Sequence, residues 1–365
     1  MTPVADAHTQ ARDALVERLF HAALNFEDVC GVYLGDRLGL YEALADLGSA
    51  TASELAVQTA TDERYVREWL EQQAVTGILV VEDPASAPAA RRYSIPDGHV
   101  EVLLEHDSLN WMVPLMRQMV GMLGPLQQLL EAYRSGDGVP YAAYGADMRE
   151  GISLMNRAMF VNLLGTEWLP AVPDVHARLQ QDPPARVADV ACGTGWSSIA
   201  IARAYPKARV DGIDLDPASI DTANANAAAA GLTERLAFDV RDAADPSLGG
   251  HYDLVTIFEA LHDMARPVDA LRAIRELLAE GGVALVVDER VADTFTAPGD
   301  EIERLMYGFS VMHCLAVGLD ERPSAATGTM MRPDTLRAYA LDAGFSDVEI
   351  LPIDNDFWRF YRLRP

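Results

Sequence analysis

Residues 187–195, Val-Ala-Asp-Val-Ala-Cys-Gly-Thr-Gly, end a short apolar run in a tight loop built on Gly193 and Gly195. Nineteen residues past Gly195, a second apolar run, Ala208 to Leu215, closes on Asp214. Glycines let a ligand approach the backbone closely, and an acid at the tip of the next strand suits a two-point grip on a ribose diol. Together they describe a nucleoside site at the C-terminal edge of a parallel sheet. Ser198 stands where a dinucleotide fingerprint wants its third glycine. Lys207, the only lysine in the chain, is no Walker lysine. Pyrophosphate binding is therefore disfavoured.

Two further groups could do chemistry. Phe258-Glu259-Ala-Leu-His262-Asp263 follows a fourth apolar run, and His313 with Cys314 lies in a long segment, 290–332. Histidine titrates near neutrality, so His262 is the first candidate for a general base, with Asp263 and His313 beside it in the catalytic set. His262, Asp263 and His313 also have the residue types of a two-His, one-carboxylate metal face. Residue types alone assign no metal, and none is assigned.

Elements must position these groups. From residue 181 the chain alternates strand and helix. Strands are expected at 186–191, 208–214, 236–239, 252–258, 283–288, 346–353 and 356–363, and helices at 196–205, 217–230, 267–279 and 333–343. Such alternation means a parallel sheet with helices on both faces. The last two strands leave no room for a helix between them, which implies an antiparallel hairpin at one edge. The 290–332 insert, helical over Glu301–Val317, is too long for a plain connection and reads as a lid.

Upstream, 11–48 reads as two helices, with Leu15, Leu19 and Phe20 on one apolar stripe and Leu34, Leu38, Tyr41 and Leu44 on another. Thr51-Ala-Ser-Glu54 is a capping box. Thr61-Asp-Glu-Arg opens a further helix with Val66, Trp69, Leu70 and Val75 facing inward. Ile78–Val81 and Arg92–Ile95 form a two-strand wing, completing a winged-helix order. The division expected is a winged-helix-like domain over 1–100, a helical substrate-wall region over 101–180, and a nucleoside-binding domain over 181–365. In the middle region Met112, Met116 and Met119 share a helical face, and Tyr141, Tyr144 and Trp168 are candidates to reach the site.

Composition narrows the partners. Asp and Glu number 55 against 29 Lys plus Arg, a formal net charge of −26. That field repels nucleic acid and anionic membranes and tolerates cationic ligands. Cys30, Cys192 and Cys314 form no CxxC pair, so a disulfide framework is not expected and a reducing cytoplasm is the natural setting. No apolar run approaches a membrane span, and the N-terminus lacks the pattern of a signal peptide.

The loop resembles motif I of class I S-adenosylmethionine (SAM) methyltransferases, read here as Asp189, Ala191, Gly193, Gly195. Ala191 stands where the family has its first glycine, the mildest departure available. The resemblance implies a Rossmann-like, seven-stranded, doubly wound α/β sheet with an N-terminal, mainly helical winged-helix domain that serves dimerisation. It implies SAM as methyl donor and S-adenosylhomocysteine as product. It places Asp214 and Leu215 at the ribose, Asp242 (with Asp239 as competitor) and Ala243 at the adenine, and Phe258 and Glu259 beside the methionine moiety. Leu34-Gly-Asp-Arg-Leu-Gly-Leu-Tyr, Glu63-Arg-Tyr-Val-Arg-Glu-Trp-Leu and Cys192-Gly-Thr-Gly-Trp-Ser-Ser are similar to actinobacterial methyltransferases of unassigned substrate with an N-terminal winged helix. The His262, Asp263, His313 set has a more distant likeness to bacterial α-keto acid C-methyltransferases, where a divalent metal holds the keto acid.

The leading expectation is a cytoplasmic, homodimeric methyltransferase acting on a small molecule, at oxygen before carbon before nitrogen. The rival is a winged-helix transcription regulator that senses SAM or a metabolite. Its recognition helix, 62–73, would carry Glu63, Glu68 and Glu71 against Arg64 and Arg67, a poor phosphate partner.

Overall fold

The computed structural model describes residues 3–245 and 249–365. The chain divides into two compact units, residues 1–121 with 150–155, and residues 122–149 with 156–365. This differs from the expected division at 100 and 180. Residues 101–121 group with the N-terminal unit, and most of the middle region groups with the C-terminal one.

The N-terminal unit contains helices α1 (Pro3–Arg37), α2 (Leu40–Leu47), α3 (Ala52–Thr59) and α4 (Glu63–Val75). Strands β1 (Val80–Val81) and β2 (Tyr93–Ser94) pair antiparallel as the wing. The capping box forms as expected. Glu54 N donates to Thr51 Oγ1 at 3.3 Å, and Thr51 N donates to Glu54 Oε2 at 2.9 Å. Asp62 caps α4 from the preceding turn. Leu40, Tyr41, Leu44, Leu55, Val66, Trp69 and Leu70 build the core. Val75, expected to face inward, is exposed, because it ends its helix where the stripe has turned past the core. Met112 lies before the helix Val113–Gly121, so it does not share a helical face with Met116 and Met119.

The C-terminal unit is organised by a seven-stranded sheet, β3 (Arg186–Val190), β4 (Arg209–Asp214), β5 (Leu236–Val240), β6 (Tyr252–Phe258), β7 (Leu278–Glu289), β8 (Asp347–Ile350) and β9 (Trp358–Arg364). Their order is β5-β4-β3-β6-β7-β9-β8. All pairings are parallel except those of β9 with β7 and with β8. Apolar clusters cover both sheet faces, as the near-continuous apolar runs of β3 and β6 require. Strand order reverses between β3 and β6, and ligands of such sheets bind outside the strand C-termini at that switch. Asp214, Glu259, His262 and Glu289 all follow from strands ending at that edge.

Within 290–332 one helix runs over Glu301–Gly318, widening to π geometry at Ser310–Cys314. A second π stretch spans Phe160–Trp168. The sequence reading expects helix over Glu301–Val317, and helix is there. The wider turn has a period close enough to 3.6 that a single short stripe does not reveal it.

Candidate active site

The glycine loop is held from two sides. Beneath it, the fully buried Asp189 carboxylate accepts from Ser197 Oγ and Ser198 Oγ at 2.6 Å each and from Thr256 Oγ1 at 2.9 Å. Burial raises its pKa against those three hydroxyls. Sequence grouped Asp189 with the cofactor-binding residues. Its side chain instead ties β3 to the start of the helix Trp196–Ala204 and has no exposed atom to offer a ligand. From above, Asp214 Oδ2 accepts from Gly193 N at 2.8 Å, and Oδ1 accepts from Asp216 N at 2.9 Å. Burial pushes Asp214 up, partly offset by these two backbone donors. Asp216 in turn caps the next helix and pairs with Arg149 at 2.8 Å. Each Asp214 oxygen keeps a further lone pair for a hydroxyl.

Gly193 and Gly195 have φ of 52° and 81°, in the left-handed region. A Cβ on Gly193 would meet nothing within 4 Å, so the space over the loop is open. A Cβ on Gly195 would meet the Phe238 ring at 2.8 Å. Ala191, the departure from the usual glycine, has φ of 55°. The loop keeps its shape there against the steric preference of alanine, which disfavours this region by roughly 1–2 kcal/mol. Ala191→Gly is therefore expected to raise stability by up to about 1 kcal/mol, read as a higher denaturation midpoint at unchanged slope. A lower midpoint would show that the alanine methyl has a packing role that outweighs the backbone preference.

At the end of β5, Asp242 lies beyond the strand, whereas its competitor Asp239 is inside it, opposite Ile213. Asp242 Oδ1 accepts from Ala244 N at 2.8 Å, and Oδ2 accepts from Arg266 at 2.7 Å. Ala243 is half-buried between them, and Leu215, after Asp214, is exposed.

The second half of the site follows β6 and β7. His262 is buried in a short 3-10 turn, Leu261–Asp263. Its Nδ1 lies 2.7 Å from Asp288 Oδ1, and its Nε2 lies 3.1 Å from Asp263 Oδ1. The second contact is an ion pair only, because Asp263 Oδ1 has no partner of hydrogen-bond geometry. Burial alone would lower the imidazole pKa, but the Asp288 and Asp263 carboxylates outweigh it and hold it well above its usual range. Asp288 fixes the tautomer, leaving Nε2 as the atom that exchanges protons. Glu259 sits at φ 51°, a strained position for a residue with a side chain. Asn156 Nδ2 donates to its carboxylate.

The expected His262, Asp263, His313 metal face does not assemble. The donor atoms that converge, within 4.8 Å of one another, belong to His262, Asp263 and Cys314. His313 turns its Nδ1 to Cys314 Sγ at 3.5 Å, and its buried Nε2 has no partner. The π turn explains the exchange, since it rotates both residues away from α-helical phase. Cys314 is pushed up to about 12 by burial, so the thiol holds its proton. Tyr141 and Tyr144 do reach this place. Their rings stand edge-on to His313 at 5.8 and 4.5 Å, and Tyr144 Oη donates to Met312 O at 2.9 Å. Trp168 does not; it packs with Phe160, Trp358 and Phe360 in the core.

Sequence reasoning missed Asp288, Glu289 and Asn156. The first two carried a signal, a pair of acids at the end of a long apolar strand run, where side chains face a site. Asn156, inside the helix Gly145–Met159, carried none.

Comparison with known proteins fits this geometry. Residues 187–282 match the family model described as a methyltransferase domain, and residues 30–104 match the Rv2258c-like winged HTH domain. The chain is 32% identical over 133 residues to trans-aconitate 2-methyltransferase of Streptomyces avermitilis, covering 36% of this chain and 48% of that one. It is 30% identical over 153 residues to a probable chloroplastic tocopherol O-methyltransferase of Oryza sativa, covering 42% and 41%. The chain thus spans about half the length of these curated relatives. Among solved structures it resembles mitomycin 7-O-methyltransferase (TM-score 0.68, 20% identity, 98% and 99% coverage). It also resembles human N-acetylserotonin methyltransferase in complex with SAM (TM-score 0.68, 18% identity, 96% and 97%). These show the fold along the whole chain: a class I methyltransferase sheet with a mainly helical N-terminal region. The chain thus carries, in order, one stretch that matches the Rv2258c-like winged HTH domain and one that matches the methyltransferase domain.

Proposed function

We propose that the protein is a SAM-dependent methyltransferase acting on a small molecule, with an oxygen acceptor favoured over carbon and nitrogen. The observation that carries this is the clasp of Asp214 on the Gly193 amide, one strand pair away from a buried histidine set between two carboxylates. SAM supplies a methyl group already activated by its sulfonium. The residues must therefore align donor and acceptor and manage one proton. Asp214 holds the ribose through both hydroxyls. Gly193 and Gly195 keep the loop open to the donor, and Asp242 with the Ala243 amide receives the adenine. His262 Nε2 takes the acceptor proton, with Asp288 steadying the ring through Nδ1. A cationic donor bound beside His262 would favour the neutral imidazole that this step needs. Calorimetric titration with S-adenosylhomocysteine tests the reading: one site per chain is expected, and no binding would reject it.

The regulator alternative is not favoured. In α4, Arg64 pairs with Glu68, and Glu71 pairs with Arg91 at 2.7 Å, so these charges are already matched within the protein. Among the described residues no helix is long and apolar enough to cross a membrane.

We also propose a homodimer through α1. Leu15, Leu19 and Phe20 stand 54–61% exposed on it, with Val16, Leu24 and Phe26 alongside. A single chain leaves such a stripe in water, and stripes of that size mark interaction surfaces. Light scattering should give twice the chain mass for the wild type and one chain mass for Leu19→Asp/Phe20→Asp. A monomeric wild type at micromolar concentration would end the proposal.

A further inference from the structure

Asp288 steadies His262 with one oxygen only. Its Oδ1 lies 2.7 Å from His262 Nδ1 and also accepts from Glu289 N at 2.9 Å. Its Oδ2 is buried and, among the described residues, has no hydrogen-bond partner. The same holds for two donors on β9, Arg359 Nη1 and Tyr361 Oη. Asp288 and Arg359 are direct partners in the antiparallel β7–β9 register, so their side chains stand on one face of the sheet. Tyr361, two residues further along β9, shares that face. The pleat turns Glu289 and its partner Trp358 to the other face.

A buried acceptor without a donor is costly, and so is a buried donor without an acceptor. Here the two kinds are neighbours. Arg359 is the better match of the two donors. Its guanidinium is a charged planar fork, able to serve two carboxylates at once. It already pairs through Nη2 with Asp293 at 3.1 Å, at the start of the 290–332 segment. Burial pushes the Tyr361 hydroxyl up to about 12, so it keeps its proton. It carries no charge, however, and stands opposite Val286 rather than Asp288.

We propose that Arg359 is a positioning residue for His262: its Nη1 holds Asp288 Oδ2, directly or across one water, while its Nη2 stays anchored to Asp293. The catalytic meaning of this role rests on the methyltransferase reading. The cation draws charge from Asp288 and so sets how strongly Oδ1 binds the imidazole Nδ1–H. Through Asp293 it ties that setting to the start of the 290–332 segment.

Proton NMR of the ligand-free protein tests the assignment. The probe is the His262 Nδ1–H resonance, downfield of the amides, assigned by its loss in His262→Gln. Each variant is first checked for a cooperative thermal transition. Arg359→Met should move the resonance further downfield, because Asp288 regains its full basicity. Arg359→Lys keeps the charge and should return it toward the wild-type position. Asp293, 78% exposed, can be changed without disturbing the core. Asp293→Asn should move the resonance upfield, because the guanidinium then turns wholly to Asp288. A merely structural arginine does not produce these opposite shifts. If Arg359→Met does not fold, Asp293→Asn decides alone. The proposal is overturned if Asp293→Asn leaves the resonance in place or moves it downfield, or if a folded Arg359→Met leaves it unmoved. It is equally overturned if Arg359→Lys shifts it as far as methionine does, or if the wild type shows no such resonance. A downfield shift in Tyr361→Phe with none in Arg359→Met would give the place to the tyrosine instead. Calorimetry with S-adenosylhomocysteine on the same samples keeps the two readings apart. No binding to the wild type would reject the methyltransferase reading and leave the NMR result standing.

Discussion

Asp214→Ala is expected to weaken S-adenosylhomocysteine binding at least tenfold. Two hydrogen bonds from ribose hydroxyls to a charged acceptor contribute roughly 1.5–3 kcal/mol each, and a tenfold change is about 1.4 kcal/mol. The same carboxylate accepts from Gly193 N and Asp216 N, so its loss also frees the loop that the donor must lie against. Asp214→Asn separates the two effects. The amide keeps the size and one acceptor oxygen but loses the charge, so its affinity should fall between wild type and alanine. Calorimetry on protein with an unchanged circular dichroism spectrum gives the answer. Equal affinity in wild type and Asp214→Ala would remove the ribose role.

His262→Gln is expected to lower turnover by roughly 10²–10⁴-fold, the usual contribution of a positioned acid–base group. Affinity for S-adenosylhomocysteine should stay within about twofold. Glutamine is chosen because it can still donate to Asp288. Alanine would leave that buried carboxylate unpaired, which destabilises by about 3–5 kcal/mol and would confuse a folding defect with a catalytic one. Single-turnover measurement on an accepted substrate, with donor saturating, is the assay. Turnover within threefold of wild type would move the base elsewhere in the site.

Much of this protein was legible in the chain. The central strands β3 and β6 follow from near-continuous apolar runs, because a parallel strand buried on both faces must be apolar along its length. The glycine loop was legible because its chemistry is local. A glycine turn, a strand end and an acid on the next strand are all fixed by spacing, and even the strained Ala191 was marked by its departure from glycine. His262 was legible as a histidine after a strand.

What surrounds His262 was not. Asp288 and Glu289 reach it because β7 pairs beside β6, and a pairing between segments some thirty residues apart leaves no periodic trace. The choice of Cys314 over His313 depends on one wide helical turn. Asp189 was read as a ligand contact, yet it faces down toward two serines and a threonine. Its position in the motif and the direction of its side chain are separate matters, the second settled by the pleat of β3. Spacing along the chain therefore determined the strands and the glycine loop, which are built from neighbours in sequence. The charge, tautomer and company of His262 were decided only by tertiary structure, since burial and facing carboxylates exist only once distant strands lie side by side.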